Sequence, residues 1–212
     1  MVLYLAAAVI GVAAIVYLVI HLAKGGSSTA SGTSTPGATS TAGGAAAGPA
    51  YVLQQAASVG KFPLNKTATS QISAAIKAAT SNITGKMAAT RSGKPGKSVI
   101  GIYNTGSATS LASSSYKGLV FVGYNGTFKP TNLMNLVQKN LKSSRAVNAG
   151  PHGGKMVCGY NTSNNSVASE CVWATTTTFG IVEYFRHGQP AKVTNASALA
   201  LKVRAAVEAR AQ

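Results

Sequence analysis

Two cysteines, three histidines and three glutamates are the residues of this chain that could ligate a metal, offer a thiol nucleophile or move a proton near neutral pH; there is no aspartate. Cys158 and Cys171 are the most informative. They stand in Gly153-Gly-Lys-Met-Val-Cys-Gly-Tyr160 and Glu170-Cys-Val-Trp173, on either side of a polar Asn/Ser turn. Both flanking runs are strand-forming, so the spacing predicts a β-hairpin with the two sulfurs opposite each other. Period two puts Met156, Cys158 and Tyr160 on one face of the first strand, and Cys171 and Trp173 on one face of the next. The spacing thus predicts an indole beside a disulfide. A zinc site needs three or four ligands, and the other candidates are His152 and His187, since His21 belongs to an apolar N-terminal run. A structural disulfide is the reading taken, and no metal or cofactor is expected. Such a bond places the domain outside the cytosol.

Acid–base chemistry needs paired groups with separated pKa values. Glu170 and Glu183 are the carboxylates of the strand-rich region, and as glutamates they are expected at the surface. His152 in Gly-Pro-His-Gly-Gly and His187 in Arg-His-Gly sit in turn contexts, which predicts exposed loop histidines. Ser107 and Ser113 to Ser115 lack a Gly-x-Ser-x-Gly elbow. Gly93-Lys-Pro-Gly-Lys-Ser98 has the wrong spacing for a phosphate-binding loop. Thr175 to Thr178 reads as strand. No catalytic set is assembled, and the chain is read as a non-enzymatic protein. The alternative is a small envelope hydrolase using His152 or His187 with Glu183.

The charge balance is lopsided: 19 Lys and Arg against three acidic residues, a formal +16. Such an excess points to an anionic neighbour: a wall polymer, lipid headgroups or an envelope protein. The basic residues are scattered and lack interleaved aromatics, which argues against nucleic acid. The densest group is in the stretch 86–97 (KMAATRSGKPGK), read as a basic loop. Lys86, Arg91, Lys94 and Lys97 are therefore the expected contacts with an anionic ligand.

The elements that must position these residues follow from periodicity. Tyr51-Val-Leu-Gln-Gln55 reads as a first short strand or a docking segment. A helix is expected over Thr67–Thr84, with Ile72, Ile76, Ala79 and Ile83 as its apolar stripe and Gly85 as its stop. Val99–Tyr103 and Leu119–Tyr124 read as strands. A helix over Thr131–Ser143, capped by Thr131 or Asn132, turns Leu133, Leu136, Val137 and Leu141 inward. Three strands occupy Gly153 to Phe185, and a last helix Asn195–Ala211. The fold class expected is α+β: a small antiparallel sheet with helices packed on one face and one disulfide-clipped hairpin.

Residues 1–24 hold an apolar run, Val2 to Leu22, long enough for a ~30 Å hydrocarbon layer at ~1.5 Å per residue. With no basic start and no small-residue exit, it reads as a retained transmembrane anchor rather than a cleaved signal. Residues 25–50 are a Ser/Thr/Gly/Ala linker with too little apolar surface to fold. Residues 51–212 are the folded domain. Lys24 follows the span, which by charge alone would leave the domain inside; a disulfide and the ready translocation of long domains put it outside. The expectation is a single-pass membrane protein with an extracytoplasmic domain.

The pattern Gly-Gly-x3-Cys (Gly153, Gly154, Cys158) followed by Cys-x-Trp-Ala-x3-Thr-x-Gly (Cys171, Trp173, Ala174, Thr178, Gly180) resembles one in actinobacterial proteins of uncharacterised function. Their layout is similar too: a membrane segment, a Ser/Thr/Gly/Pro stalk and a small extracytoplasmic domain. Thr175 stands where that group usually carries Asp, and the group's Arg-rich cytoplasmic start is missing. The resemblance implies a location and a fold, and no activity.

Overall fold

The computed structural model describes residues 50–105, 117–163, 166–186 and 192–212. The expected anchor, the linker up to residue 49, His187, Ser107 and Ser113 to Ser115 lie outside them. Among the described residues no helix is long and apolar enough to cross a membrane.

The chain is α+β around a six-stranded, wholly antiparallel sheet. A short N-terminal part gives β1 (Tyr51–Leu53), β2 (Ser58–Val59) and β3 (Phe62–Pro63), then α1 (Lys66–Ala89). The sheet strands are β4 (Gly93–Asn104), β5 (Lys117–Phe128), β6 (Lys142–Val147), β7 (Lys155–Ser163), β8 (Ser166–Ala174) and β9 (Thr178–Arg186). Helix α2 (Pro130–Gln138) joins β5 to β6; α3 (Val193–Val207) and β10 (Glu208–Arg210) close the domain. Strand order is β4-β5-β9-β8-β7-β6. Helix α2 carries the chain from β5, next to one edge, to β6 at the far edge, and an antiparallel meander β6-β7-β8-β9 brings it back beside β5.

The expectation of helices on one face is corrected: both faces are covered. Ala68, Ile76 and Met87 of α1 and Leu133, Met134 and Val137 of α2 pack on Ile102, Val120, Val122, Val172 and Ile181. On the opposite face, Val193, Ala196, Ala200, Val203 and Val207 of α3, with Leu53, Val59 and Phe62, pack on Leu119, Phe121, Val182 and the disulfide. The physical reason stands in the sequence. Leu119-Val-Phe-Val122 is an unbroken apolar run whose four residues are all buried, and a strand without alternation has two apolar faces to cover.

Several boundaries also move. Helix α1 runs through Gly85 to Ala89 and stops in a Schellman arrangement: Ser92 N–H donates to Met87 O and Arg91 N–H to Ala88 O. Arg91, at φ 50°, takes the left-handed position usually held by glycine. Helix α2 starts at Pro130, with Lys129 as N-cap, and ends at Gln138. The chain beyond it becomes edge strand β6, with Ser143 at φ 50° beside the bulge that joins Lys142 to Arg145. Helix α3 stops at Val207, and Glu208–Arg210 pairs with Leu53–Tyr51 instead of extending the helix. The Asn125 side chain docks that ribbon on the sheet: its Oδ1 accepts from Leu53 N–H and its Nδ2 donates to Leu53 O.

The clip is as expected. Cys158 and Cys171 are register partners on β7 and β8 and form the disulfide. Trp173 lies on the same face, stacked on Phe121 at 5.6 Å. Gly180 faces it because any Cβ there would strike the indole ring. The bond closes a loop with a sequence separation of 13, so paired Cys158→Ser and Cys171→Ser substitutions should lower unfolding stability by about 3 kcal/mol. Urea titration followed by Trp173 fluorescence measures this; an unchanged midpoint would mean the hairpin is held without the bond.

Candidate functional site

Glu170 and Glu183 were expected at the surface, and the structure corrects this: both are 0% exposed, and Glu208 is 6% exposed. These three are the chain's full set of acidic side chains. The exterior is consequently left without a single one.

Glu208 is the centre of the more elaborate cluster. Oε1 accepts from Trp173 Nε1 at 2.8 Å and Thr178 Oγ1 at 2.6 Å. Oε2 accepts from Arg204 Nε at 2.7 Å and His152 Nδ1 at 2.9 Å. All four acceptor positions of the carboxylate are thereby filled. Arg204 is one helical turn before Glu208 and is itself buried, so the pair is an ion pair removed from water. Its Nη1 donates to the carbonyls of Ala149 and Gly153, the two ends of the turn that carries His152. Gly150, Gly153 and Gly154 all take positive φ in that turn. A Cβ on Gly154 would collide with the Ala174 carbonyl, so the turn packs against β8 without side chains between them. The imidazole is 22% exposed and stacks on Tyr51 at 4.5 Å. Because a carboxylate only accepts, His152 Nδ1 is the donor in this contact.

The residues of the Gly-Gly-x3-Cys and Cys-x-Trp-Ala-x3-Thr-x-Gly pattern therefore converge on one place. Gly154 admits the turn, the disulfide and Gly180 seat Trp173, and Trp173 with Thr178 supplies two donors to Glu208. Of Thr175 to Thr178, expected as strand, the first three form the β8–β9 turn and Thr178 opens β9. The Thr175 hydroxyl accepts from Thr177 N–H at 3.1 Å and Thr178 N–H at 2.8 Å. This is a turn-capping role that an Asp carboxylate could also fill. Thr177 Oγ1 in turn accepts from Tyr51 N–H and donates to Tyr51 O, tying the turn to β1.

The second cluster lies on the opposite face. Glu170 and Glu183 are register partners on β8 and β9. Asn161 Nδ2 donates to Glu170 Oε2 at 3.0 Å and Glu183 Oε1 at 3.1 Å. Glu170 Oε1 and Glu183 Oε2 receive no other donor. Burial pushes the Glu170 carboxyl up to about 7. It raises Glu183 further, with the charge of Glu170 adding to the effect. The pair therefore retains a proton near neutral pH and titrates as one unit.

This geometry separates His152 from Glu183, one of the two pairings of the hydrolase reading; the other, His187 with Glu183, falls outside the described residues. Glu183 meets Asn161 and Glu170, whereas His152 meets Glu208. Among the described residues no group of three or more His, Cys, Asp or Glu could hold a metal ion. The basic stretch 86–97 is not one loop: Lys86 lies on α1, Arg91 closes that helix, and Lys94 and Lys97 lie on β4. Arg91, Lys94 and Lys97 are exposed.

Comparisons with protein-family models, curated proteins and solved structures return no match.

Two predictions follow from the buried carboxylates. Glu208→Gln leaves Arg204 buried without a counter-charge, so stability should fall by about 3–5 kcal/mol, read by urea denaturation; a loss below ~1 kcal/mol would remove Glu208 from its central role. For the other cluster the sign follows from linkage. The folded state holds a proton that the unfolded chain releases near pH ~4.3, so stability drops as pH rises from there through about 7. The protein should unfold at lower urea at pH 8 than at pH 5, and the double variant Glu170→Gln/Glu183→Gln should remove much of that difference. An unaltered pH slope in the variant would show that the pair is not its source.

Proposed function

We propose that the chain is a single-pass, membrane-anchored extracytoplasmic protein, and that its domain is a non-enzymatic binding module for anionic envelope components: a wall polymer, lipid headgroups or a protein partner. One observation carries the reading. All three carboxylates are buried, while the formal charge is +16, so the solvent-facing side chains of this domain offer cations and neutral groups alone. An approaching polyanion meets no acidic side chain on any face.

The other parts of the reading rest on separate supports. The Cys158–Cys171 bond suits an oxidising compartment. The apolar run from Val2 to Leu22 suits an anchor. The non-enzymatic reading draws on His152, whose Nδ1 partner Glu208 already has all its acceptor positions filled, and on Glu170 and Glu183, which lie in the core away from solvent.

The test uses the full chain, solubilised in neutral detergent, on immobilised polyphosphate and on neutral dextran. Retention on polyphosphate should be strong at about 0.05 M salt and largely lost near 1 M, where the screening length is ~3 Å, with none on dextran. Equal behaviour on both supports, or retention indifferent to salt, would end the reading.

A further inference from the structure

A cleft of about 410 Å³ opens between α1, the segment after β1 and the edge strand β4. That volume lies within the ~300–1,000 Å³ usual for small-ligand sites. Its walls carry Lys77 and Lys97, Ser73 and Ser98, and Gln54 and Gln55. The sequence alone marks Lys97 here and passes over Lys77, because the two are far apart in the chain.

Local geometry explains why these side chains meet. Ser73 and Lys77 are one turn apart on α1 and share a face. On β4 the pairing with β5 is irregular between Pro95 and Ser98, which breaks the alternation that would send Lys97 and Ser98 to opposite sides. Both reach the cleft. The floor is fixed by the backbone of β4: Gln55 Nε2 donates to Ile100 O at 2.7 Å, and Ile102 N–H donates to Thr69 Oγ1 at 3.0 Å. Leu53 and Val99 supply its apolar part.

We propose that this cleft is a binding site for a phosphate ester of a polyol or sugar, with the ammonium groups of Lys77 and Lys97 on the phosphate and the Ser and Gln side chains on the neighbouring hydroxyls. The inference rests on the anion-binding reading above and narrows it to one place and one chemistry. Lysine binds phosphate as a point charge and leaves the hydroxylated remainder to neutral polar groups, which is the mixture lining this cleft. No acidic side chain is among the lining residues, so a dianion entering it meets no like charge. Two sources carry the same unit: a phosphorylated envelope polymer, and a glycerophospholipid headgroup.

The experiment titrates the detergent-solubilised full chain with glycerol 3-phosphate, followed by calorimetry, with glycerol as the uncharged control. It then repeats the titration on Lys77→Gln/Lys97→Gln and on Lys142→Gln/Lys202→Gln. Each pair removes two exposed cations, the second from β6 and α3, away from the cleft. The wild type and the second variant should bind alike, with the first weakened about tenfold or more. Equal weakening of both variants, while polyphosphate retention persists, would overturn the cleft and leave a diffuse basic surface. Loss of all binding in the wild type, polyphosphate included, would overturn both readings. Short-chain phosphatidylglycerol, against phosphatidylcholine of the same chain length, distinguishes the sources. If it competes with glycerol 3-phosphate through Lys77 and Lys97, the headgroup is a ligand; if it does not compete, the polymer ester is.

Discussion

A single buried carboxylate, Glu208, holds together parts of the chain that are otherwise distant. Its four donors come from β8 (Trp173), β9 (Thr178), α3 (Arg204) and the turn before β7 (His152). Burying a charge in this way is costly unless it is matched and fully hydrogen-bonded, and Arg204 supplies the matching charge. The arrangement also fixes geometry. Arg204 brackets the glycine turn through Ala149 and Gly153, and Glu208 pins the histidine in its middle. Trp173 has its NH on Glu208 and its ring on Phe121, next to the disulfide cluster, so the clip and the ion pair constrain the same side chain. Because Glu208 opens β10 opposite Leu53, the hub also sets where the two ends of the domain meet.

Part of this was legible in the sequence. The cysteine spacing, the parity of Trp173 and the strand-forming runs from Gly153 to Phe185 suffice for the hairpins and the bond, because each depends on neighbours in the chain. The apolar residues Ile76, Leu133, Val137 and Val203 likewise mark core-facing helix positions that the structure buries. The glutamates were not legible. Whether a carboxylate faces water depends on donors brought to it by the fold, and here those lie 22 residues away for Glu183 and Asn161, and 35 and 56 for Glu208 with Trp173 and His152. Exposure is the common state of glutamate, and at Glu170 and Glu183 the common state was the wrong guide.

The misplaced element ends have a similar origin. Gly85 looked like a helix stop, yet a glycine inside a long helix costs only about 1 kcal/mol relative to Ala, too little to end α1 against its packing on the sheet. The helix ends where Arg91 accepts a left-handed backbone. Strands β6 and β10 escaped notice because each is defined by its partner: Arg145–Val147 by Cys158–Met156, and Glu208–Arg210 by Leu53–Tyr51. The lysine cleft is of the same kind. Lys77 belongs to a helix and Lys97 to a strand, and no local pattern brings them together.

Placing every acidic side chain in the interior has an energetic consequence. The interior pairs or neutralises its charges, by Arg204 at Glu208 and by a retained proton at Glu170 and Glu183, while the exterior cations repel one another with no surface carboxylate to offset them. That repulsion opposes the compact state, and the disulfide and the two apolar faces of the sheet offset it. An anion that binds the folded surface acts in the same direction as those contacts: it removes part of the repulsion and, by binding the folded state selectively, shifts the unfolding equilibrium in proportion to its occupancy. Stability and the proposed anion binding thus trace to one feature, the absence of acidic side chains from the surface.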